Sequence, residues 1–333
     1  MSYNTPTFLD NFRKLFHKKF ADDILSIEPL IAGASKRQIY RISTENKKYI
    51  VIFNENVSEN KAFIKFTQIF KANGFNVPEI YIVSNDSLYY LEEDLGDETL
   101  FSYCKSHKCE NLYLEALRQL AYIQIELKNK IDYNYCYETK IFDNAQLEFD
   151  LNKFNNSFVK QFEIQFSGKN FENIKKYLLD SLDKADKSYF IYRDYQPRNI
   201  MLYKNEFYFI DYQSGRKGPL YYDVVSFIFS GSSNITNENK LKYLEQYNNI
   251  LKTNFNLDYS DKIKEFYDIA VMRILQMLGS YGSTYSTKKD TSYLKKINKQ
   301  VDNILFVVEN SDVPEMKKLY ELVSGFNETI IHT

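Results

Sequence analysis

Two neighbouring stretches of the sequence place acids and an amide at the ends of apolar runs. The first, "FIYRDYQPRNIML" (residues 190–202), carries Asp194 and Asn199 between hydrophobic flanks. The second, "FYFIDYQSG" (residues 207–215), ends an apolar run on Asp211. Because burying charge is costly unless the charge is paired, these positions are the first candidates for a functional site.

A hairpin would bring these side chains together. The polar "YKNE" lies between the apolar runs "NIML" and "FYFID", a pattern that predicts two short antiparallel strands. Asn199 and Asp211 would then converge at one edge, with Asp194 on the loop before it. Such oxygen ligands suit Mg²⁺ bridged to phosphate, while Asp194 would orient and deprotonate a substrate hydroxyl. The alternative is that the acids only cap turns, since the Asp–Asn spacing alone is weak.

Composition limits the classes of function. A chain of 333 residues is long enough for two domains, and 44 acids nearly cancel 43 bases. This balance gives no reason to expect a nucleic acid or an anionic membrane as partner. We expect no membrane span, because no window approaches eighteen apolar residues, and the first sixteen residues lack the apolar core of a signal peptide.

The three cysteines predict a reducing compartment, because their number is odd and their spacing shows no pairing. "CKSHKC" (Cys104 to Cys109) could provide some of the ligands of a zinc site. Cys136 alone does not convincingly complete the set, so a segment without a metal is favoured. A cytoplasmic globular protein is the resulting prediction.

The chain changes character near residue 98. Before it, "IYRIS" and "YIVIF" read as a strand pair, "NKAFIKFTQIFKANG" as a helix ending at Gly74, and "EIYIV" and "SLYYLEEDLG" as extended stretches. After it, "NLYLEALRQLAYIQIELKNK" is an amphipathic helix, and residues 144–185 and 236–326 look mainly helical. We predict an α+β fold with two lobes, a small sheet-plus-helix lobe (1–95) and a larger, mainly helical lobe (96–333).

At this point the sequence resembles a known family. "YRDYQPRN" resembles the catalytic loop of the aminoglycoside phosphotransferase and choline kinase-like superfamily, and "FIDYQSGRKGPLYYDVVSF" is similar to its metal-binding segment. "GASKRQIYRI", "VPEIY" and "LEEDLGDETL" resemble the nucleotide lobe and hinge of one branch. That branch is the bacterial cell-wall amino-sugar kinases, which phosphorylate N-acetylmuramate and N-acetylglucosamine on the anomeric hydroxyl. The resemblance covers about residues 25–310 and implies a protein kinase-like fold with ATP and Mg²⁺ as cofactors.

The resemblance also implies a role for each matching residue. Asp194 would be the catalytic base, Asn199 and Asp211 the Mg²⁺ ligands, and Asp223 a structural acid that braces the catalytic loop. The hinge would contact the adenine, and the turn before "IYRIS" the phosphates. These nucleotide-binding candidates are Gly33, Ser35, Lys36, Arg37, Glu92, Glu93, Asp94 and Leu95.

Two positions depart from the family pattern. Tyr192 stands where the family usually has a histidine that supports the loop. The strand "YIVIF" has no lysine to hold the α- and β-phosphates, so Lys36 or Arg37 would have to reach in from the preceding turn. The alternative for both cations is an exposed, solvated turn.

The segment after Asp211 predicts a small substrate. Only eleven residues separate it from Asp223, too few for the activation loop with which protein kinases hold peptides. Candidates to line the substrate pocket are Gln213, Arg216 and Arg273. The alternatives are that Arg216 is a surface residue and that Arg273 only pairs with an acid.

Three functions stay open on the sequence. An amino-sugar kinase is the first. An aminoglycoside kinase is disfavoured, because its polycationic substrate needs acids, whereas "RQIYR" and "GRK" place bases near the site. A nucleotide-binding pseudokinase is supported only by the missing strand lysine. In each case we expect a small-molecule ligand and no nucleic-acid or membrane partner, and the oligomeric state is undetermined.

Overall fold

The computed structural model describes residues 5–30, 37–233 and 235–331. In chain order the helices are α1 (Thr5–Lys19), α2 (Val57–Ala72), α3 (Leu100–Tyr103), α4 (Glu110–Leu127), α5 (Asn144–Phe154), α6 (Gly168–Lys184), α7 (Tyr221–Ile228), α8 (Asn237–Phe255), α9 (Ile263–Lys288), α10 (Ser292–Asn310), α11 (Pro314–Lys317) and α12 (Leu319–Ile331). The strands are β1 (Ser26–Leu30), β2 (Gln38–Ser43), β3 (Lys48–Phe53), β4 (Ile80–Val83), β5 (Tyr89–Glu93), β6 (Tyr189–Ile191), β7 (Ile200–Tyr203), β8 (Glu206–Phe209) and β9 (Arg216–Gly218).

Packing divides the chain into two compact units that are discontinuous in sequence. The first unit comprises Met1–Leu100, Lys130–Glu138 and Asn199–Ser214, and the second comprises Phe101–Asn129, Thr139–Arg198 and Gly215–Thr333. The hairpin β7–β8 therefore packs with the N-terminal residues, although it lies far along the chain. The functional domain boundary expected between residues 95 and 96 stays a prediction.

The first unit is built on a five-stranded antiparallel sheet with the strand order β1-β2-β3-β5-β4. The predicted strand pair "IYRIS" and "YIVIF" is confirmed as β2 and β3. The predicted helix is confirmed as α2, whose end is followed by Gly74 at φ +80°, a conformation that glycine adopts without strain. Helix α1, which the sequence pattern did not single out, buries Phe8, Phe12 and Phe16 in the core of this sheet.

The second unit is mainly helical and contains most of α3, all of α4 to α12, and a two-stranded sheet of β6 and β9, in which Ile191 pairs with Arg216. The long helix α9 approaches a π-helical turn at Asn155–Val159 very closely. A Cβ atom on Gly282 would lie 2.1 Å from the carbonyl oxygen of Ser157, so only glycine fits there. The helices predicted over residues 144–185 and 236–326 are confirmed, and so is the α+β class.

The cysteine prediction was wrong at one pair. Cys104 and Cys109 form a disulfide, with their Cα atoms 5.7 Å apart. Helix α3 ends at Tyr103 and α4 begins at Glu110, so the short turn between the helices returns the two side chains to each other. With these thiols paired, "CKSHKC" is a disulfide-closed turn.

Within the described ranges, none of the helices combines the length and the apolarity needed to cross a membrane.

Candidate active site

Asp211 is the centre of the candidate site in the first unit. Its Oδ1 atom accepts hydrogen bonds from Arg37 Nη2 (2.6 Å) and Gln213 Nε2 (2.9 Å), and its Oδ2 atom from Asn199 Nδ2 (3.4 Å). The backbone of Asp211 has a left-handed φ of +69°. Such a conformation in a residue other than glycine costs about 1–3 kcal/mol and is concentrated at functional sites.

The hairpin β7–β8 explains why Asn199 and Asp211 meet. Its strands pair antiparallel from Ile200–Phe209 to Tyr203–Glu206, and the two turn residues both have positive φ, as a type I′ turn requires. The Ile210 N–H then donates to the carbonyl oxygen of Asn199 at 3.2 Å. The hairpin predicted from "YKNE" is confirmed.

Arg37 joins Asp211 to a second acid. Its Nε atom lies 3.8 Å from Glu59 Oε1, in the first turn of α2. Burial lowers the pKa of Arg37, but Asp211, Tyr90 and Glu59 more than offset this and hold the pKa above its ordinary value. The guanidinium is therefore a permanent cation between two carboxylates. The sequence reasoning missed Glu59. The sequence did contain a signal for it, because Glu59 is an acid at the start of the helix that was predicted to pack beside the sheet.

The other cation proposed for the phosphates, Lys36, lies outside the described residues, as do Gly33 and Ser35. For these three residues the nucleotide-binding role stays a prediction.

The predicted hinge follows strand β5, and β2 anchors it. Arg41 Nε donates to Asp94 Oδ2 at 2.7 Å. Burial raises the pKa of Glu92 to about 8, against the opposing charge of Arg37, and its Oε2 atom has neither solvent contact nor a hydrogen-bond partner within the described residues. Glu92 is thus mainly protonated at pH 7. Adenine contacts by Glu92, Glu93, Asp94 and Leu95 stay predictions.

Asp194 is the acid at the centre of the candidate site in the second unit, as Asp211 is in the first. Its side chain is 34% exposed, and its Oδ1 atom accepts hydrogen bonds from Arg273 Nη2 (2.9 Å) and Gln196 Nε2 (3.5 Å). The side chain of Arg273, on α9, is only 3% exposed and also donates through Nη1 to Gln276 Oε1 (2.6 Å) and Tyr222 Oη (3.3 Å). Arg273 thus pairs with an acid, the proposed base, and its contact with a substrate stays a prediction.

Asp223 holds the backbone of the loop that carries Asp194. It is fully buried and accepts hydrogen bonds from the N–H groups of Tyr192 (2.6 Å) and Arg193 (2.9 Å). Burial raises its pKa to about 7, while these two N–H groups act in the opposite direction. Arg193 has a φ of +76°, and Asp223 accepts the hydrogen bond of its N–H. This geometry supports the bracing role proposed for Asp223.

The two other substrate candidates are both buried. Arg216 is 1% exposed and donates from Nη1 to Thr139 Oγ1 (2.7 Å) and Gln146 Oε1 (3.3 Å), so the alternative of a surface residue was wrong. Gln213 is 5% exposed, and its Oε1 atom has no hydrogen-bond partner in the described part of the chain. Contact of either residue with a substrate stays a prediction.

Several cations lie around Tyr281, a residue of the second unit that also lies in the field of Asp194. Burial raises the pKa of Tyr281, while the charges of Arg198 and Arg273 lower it and that of Asp194 raises it, so these groups lie around the phenol. Lys296 Nζ lies 4.2 Å from the centre of the Tyr293 ring and 5.9 Å from that of Tyr281. Burial and the charge of Arg198 lower the pKa of Lys296. This surface therefore suits an anionic group.

The residues present fit a magnesium ion that is shared with a phosphate. No cluster of three or more His, Cys, Asp or Glu side chains able to hold a metal occurs among the described residues. Mg²⁺ usually binds through one or two carboxylates together with substrate phosphates, and it prefers oxygen ligands. Asp211, whose side chain is 27% exposed, and Asn199 provide such a set.

Comparison with known proteins defines the class. Residues 26–258 match the model of the phosphotransferase enzyme family. The match covers well over half of the chain, and the chain belongs to this family. The predicted class of enzyme, a phosphotransferase, is confirmed.

Individual relatives are more distant. An N-acetylmuramate/N-acetylglucosamine kinase of Pseudomonas aeruginosa is 25% identical over 201 residues, which are 59% of this chain and 57% of that protein. The chain thus matches little more than half the length of this curated relative.

Solved structures share the fold. A microcompartment-associated aminopropanol kinase matches with a TM-score of 0.64 and 13% identity, over 90% of this chain and 97% of that chain. The ADP-bound aminoglycoside phosphotransferase APH(2'')-Ib matches with a TM-score of 0.57 and 13% identity, over 88% and 97%. At such identities the likeness shows the fold alone, and the predicted protein kinase-like fold is confirmed.

Proposed function

We propose that the protein is an ATP- and Mg²⁺-dependent small-molecule kinase that phosphorylates the anomeric hydroxyl of N-acetylmuramate or N-acetylglucosamine. The observation that carries the kinase proposal is the pair Asp211–Asn199 at the hairpin, with Asp194 five residues before Asn199 on a braced loop. Family membership supports the reaction class, and the curated relative supports the substrate class.

In this proposal the metal-binding residues and the catalytic base have separate roles. Asn199 and Asp211 hold the metal, which when bound neutralises charge on the phosphate oxygens. Asp194 takes the proton of the acceptor hydroxyl as its oxygen forms a bond to the γ-phosphorus of ATP. The bond between that phosphorus and the β–γ bridging oxygen breaks, and its electron pair leaves with ADP.

Arg37 takes the place of the absent strand lysine. Protein kinases pair that lysine with a helix glutamate, and here Arg37 pairs with Glu59 on α2. A permanent cation beside Asp211 suits the non-transferred phosphates. This pairing weakens the pseudokinase alternative, whose only support was the missing lysine. The ADP bound to a structural neighbour supports a nucleotide as phosphate donor.

The charge around Asp194 supports an acidic sugar. Arg198 and Lys296 lie near Tyr281, which also lies in the field of Asp194. N-acetylmuramate carries a lactyl carboxylate that this charge attracts, and N-acetylglucosamine is neutral. An aminoglycoside is polycationic and would meet like charge, which opposes binding.

The test is phosphate transfer from labelled ATP to N-acetylmuramate, N-acetylglucosamine and kanamycin, with Asp194→Asn as the inactive control and NMR to locate the phosphate. We expect a sugar 1-phosphate, with N-acetylmuramate the better acceptor. Phosphate on kanamycin alone, or on the 6-hydroxyl of a sugar, would refute the substrate and leave the kinase. Turnover without added Mg²⁺ would refute the metal dependence.

A further inference from the structure

We propose that Arg273 is a positioning residue that holds the Asp194 carboxylate in the orientation in which it receives the proton of the acceptor hydroxyl. This inference rests on the kinase activity proposed above. It replaces the expectation that Arg273 grips a substrate carboxylate.

Two donors hold one oxygen of the carboxylate. Arg273 Nη2 lies 2.9 Å from Asp194 Oδ1, and Gln196 Nε2 lies 3.5 Å from the same atom. Two donors on separate elements restrict rotation of the carboxylate about its Cβ–Cγ bond and so hold its orientation. Orientation of this kind is worth much in catalysis, because a misplacement of about 1 Å can cost about 100-fold in rate.

Gln196 is itself held. Its Oε1 atom accepts a hydrogen bond from Ser230 Oγ at 2.9 Å, and Gln196 is buried. The second donor to Oδ1 is therefore anchored to the segment that follows α7.

Arg273 is anchored more firmly than the acid that it contacts. Its Nη1 atom donates to Gln276 Oε1 at 2.6 Å and to Tyr222 Oη at 3.3 Å, and its guanidinium carbon lies 5.4 Å from the centre of the Tyr222 ring. Its side chain is 3% exposed, whereas that of Asp194 is 34% exposed. The arginine therefore has almost no surface to offer a sugar, and the aspartate does.

Arg273 supplies both a positive charge and a planar set of donors beside Asp194. Lysine would keep this charge, but it lacks the planar fork that bonds Asp194 and Gln276 at once. The two functions of Arg273, charge and orientation, can thus be separated by substitution.

The experiment measures kcat and KM for the acceptor sugar in Arg273→Met, Arg273→Lys and the wild type. Loss of orientation should lower kcat in Arg273→Met by about 100-fold while KM for sugar and ATP stays within about threefold. Arg273→Lys should recover part of the loss because the charge returns. The matched control is Arg118→Met, which removes an arginine paired with Glu115 on α4 and should leave both constants unchanged.

A second variant covers the case in which Arg273→Met fails to fold. Gln276→Met keeps Arg273 but removes the acceptor of its Nη1, and kcat should fall about threefold, as expected for one ordinary hydrogen bond. A rise in KM for the sugar with kcat held would make Arg273 a substrate ligand and overturn the inference. Unchanged constants in Gln276→Met and a folded Arg273→Met would also overturn it. A wild type that phosphorylates no acceptor would instead refute the proposed function on which it rests.

Discussion

In each unit a candidate site aspartate contacts an arginine, and the two pairs have different surroundings. Arg37 Nη2 lies 2.6 Å from Asp211 Oδ1 in the first unit, and Arg273 Nη2 lies 2.9 Å from Asp194 Oδ1 in the second. Around Asp211 there is a further carboxylate, Glu59, and an amide. Near Asp194 lie the cations that act on Tyr281, together with the buried acid Asp223.

The difference separates the tasks of the two acids. A site with two carboxylates and one arginine still attracts a cation, which suits a metal that carries a nucleotide. Cations near a carboxylate attract an anionic substrate. The pairs also differ in exposure, since the Arg273 side chain is 3% exposed and that of Arg37 is 17% exposed. The account therefore predicts different kinetic signatures when each pair is broken.

The largest effect should come from the acid of the second unit. Asp194→Asn keeps the shape but removes the proton acceptor, and positioned bases contribute about 10²–10⁴ in rate. We expect kcat to fall by that factor in a steady-state assay, with affinity for ATP little changed. Asp180→Asn, on the exposed face of α6, is the matched control. Near wild-type turnover by Asp194→Asn would remove the base assignment.

A smaller effect should follow when the arginine of the first unit is removed. Arg37→Ala, alone or with Lys36→Ala, should raise KM for ATP by about tenfold with kcat roughly held, because the lost contact is to phosphates that are not transferred. Lys61→Ala, an exposed cation on α2, is the control. Unchanged ATP kinetics in the double variant would return both residues to the solvated-turn alternative.

The smallest effect concerns stability rather than catalysis. The folded protein keeps Glu92 protonated up to about pH 8, whereas the unfolded chain ionises it near pH 4.5. Between these values the unfolded state binds fewer protons, so the contribution of Glu92 to the free energy of unfolding falls as pH rises. The slope is at most about 1.4 kcal/mol per pH unit.

Glu92→Gln removes this dependence. Denaturant unfolding should show similar stability for variant and wild type near pH 4.5, and a growing advantage for the variant at pH 7 and 9. Glu98→Gln, an exposed neighbour, should follow the wild type throughout. Parallel pH profiles for Glu92→Gln and the wild type would refute a buried, protonated Glu92.

The sequence predicted the parts of both regions that depend on local pattern. Alternation and turn residues are enough to specify the hairpin at Asp211, and helical spacing is enough for α2 and α4, because these elements form between near neighbours in the chain. Asp194, Asp211 and the amide Asn199 were selected for the same reason, since each borders an apolar run.

The side chains that contact these residues could not be predicted from local sequence patterns. Arg37 and Asp211 are 174 positions apart, and Asp194 and Arg273 are 79 apart, so only tertiary packing brings them together. Glu59 was missed for the same reason. The disulfide was missed because its closure depends on where α3 ends and α4 begins, and helix boundaries are poorly determined by propensity.

The division of tasks between the two acids is the central claim, and calorimetric titration with ATP, with and without Mg²⁺, tests it most directly. Asp211→Ala should lose Mg²⁺-dependent binding, because a hard cation loses its charged ligand, and Asn199→Ala should lose less, because an amide contributes only a dipole. Asp194→Asn should bind MgATP as the wild type does while turning over at least about 100-fold more slowly. Undiminished MgATP binding by Asp211→Ala, or equal loss of binding in Asp211→Ala and Asp194→Asn, would contradict the account.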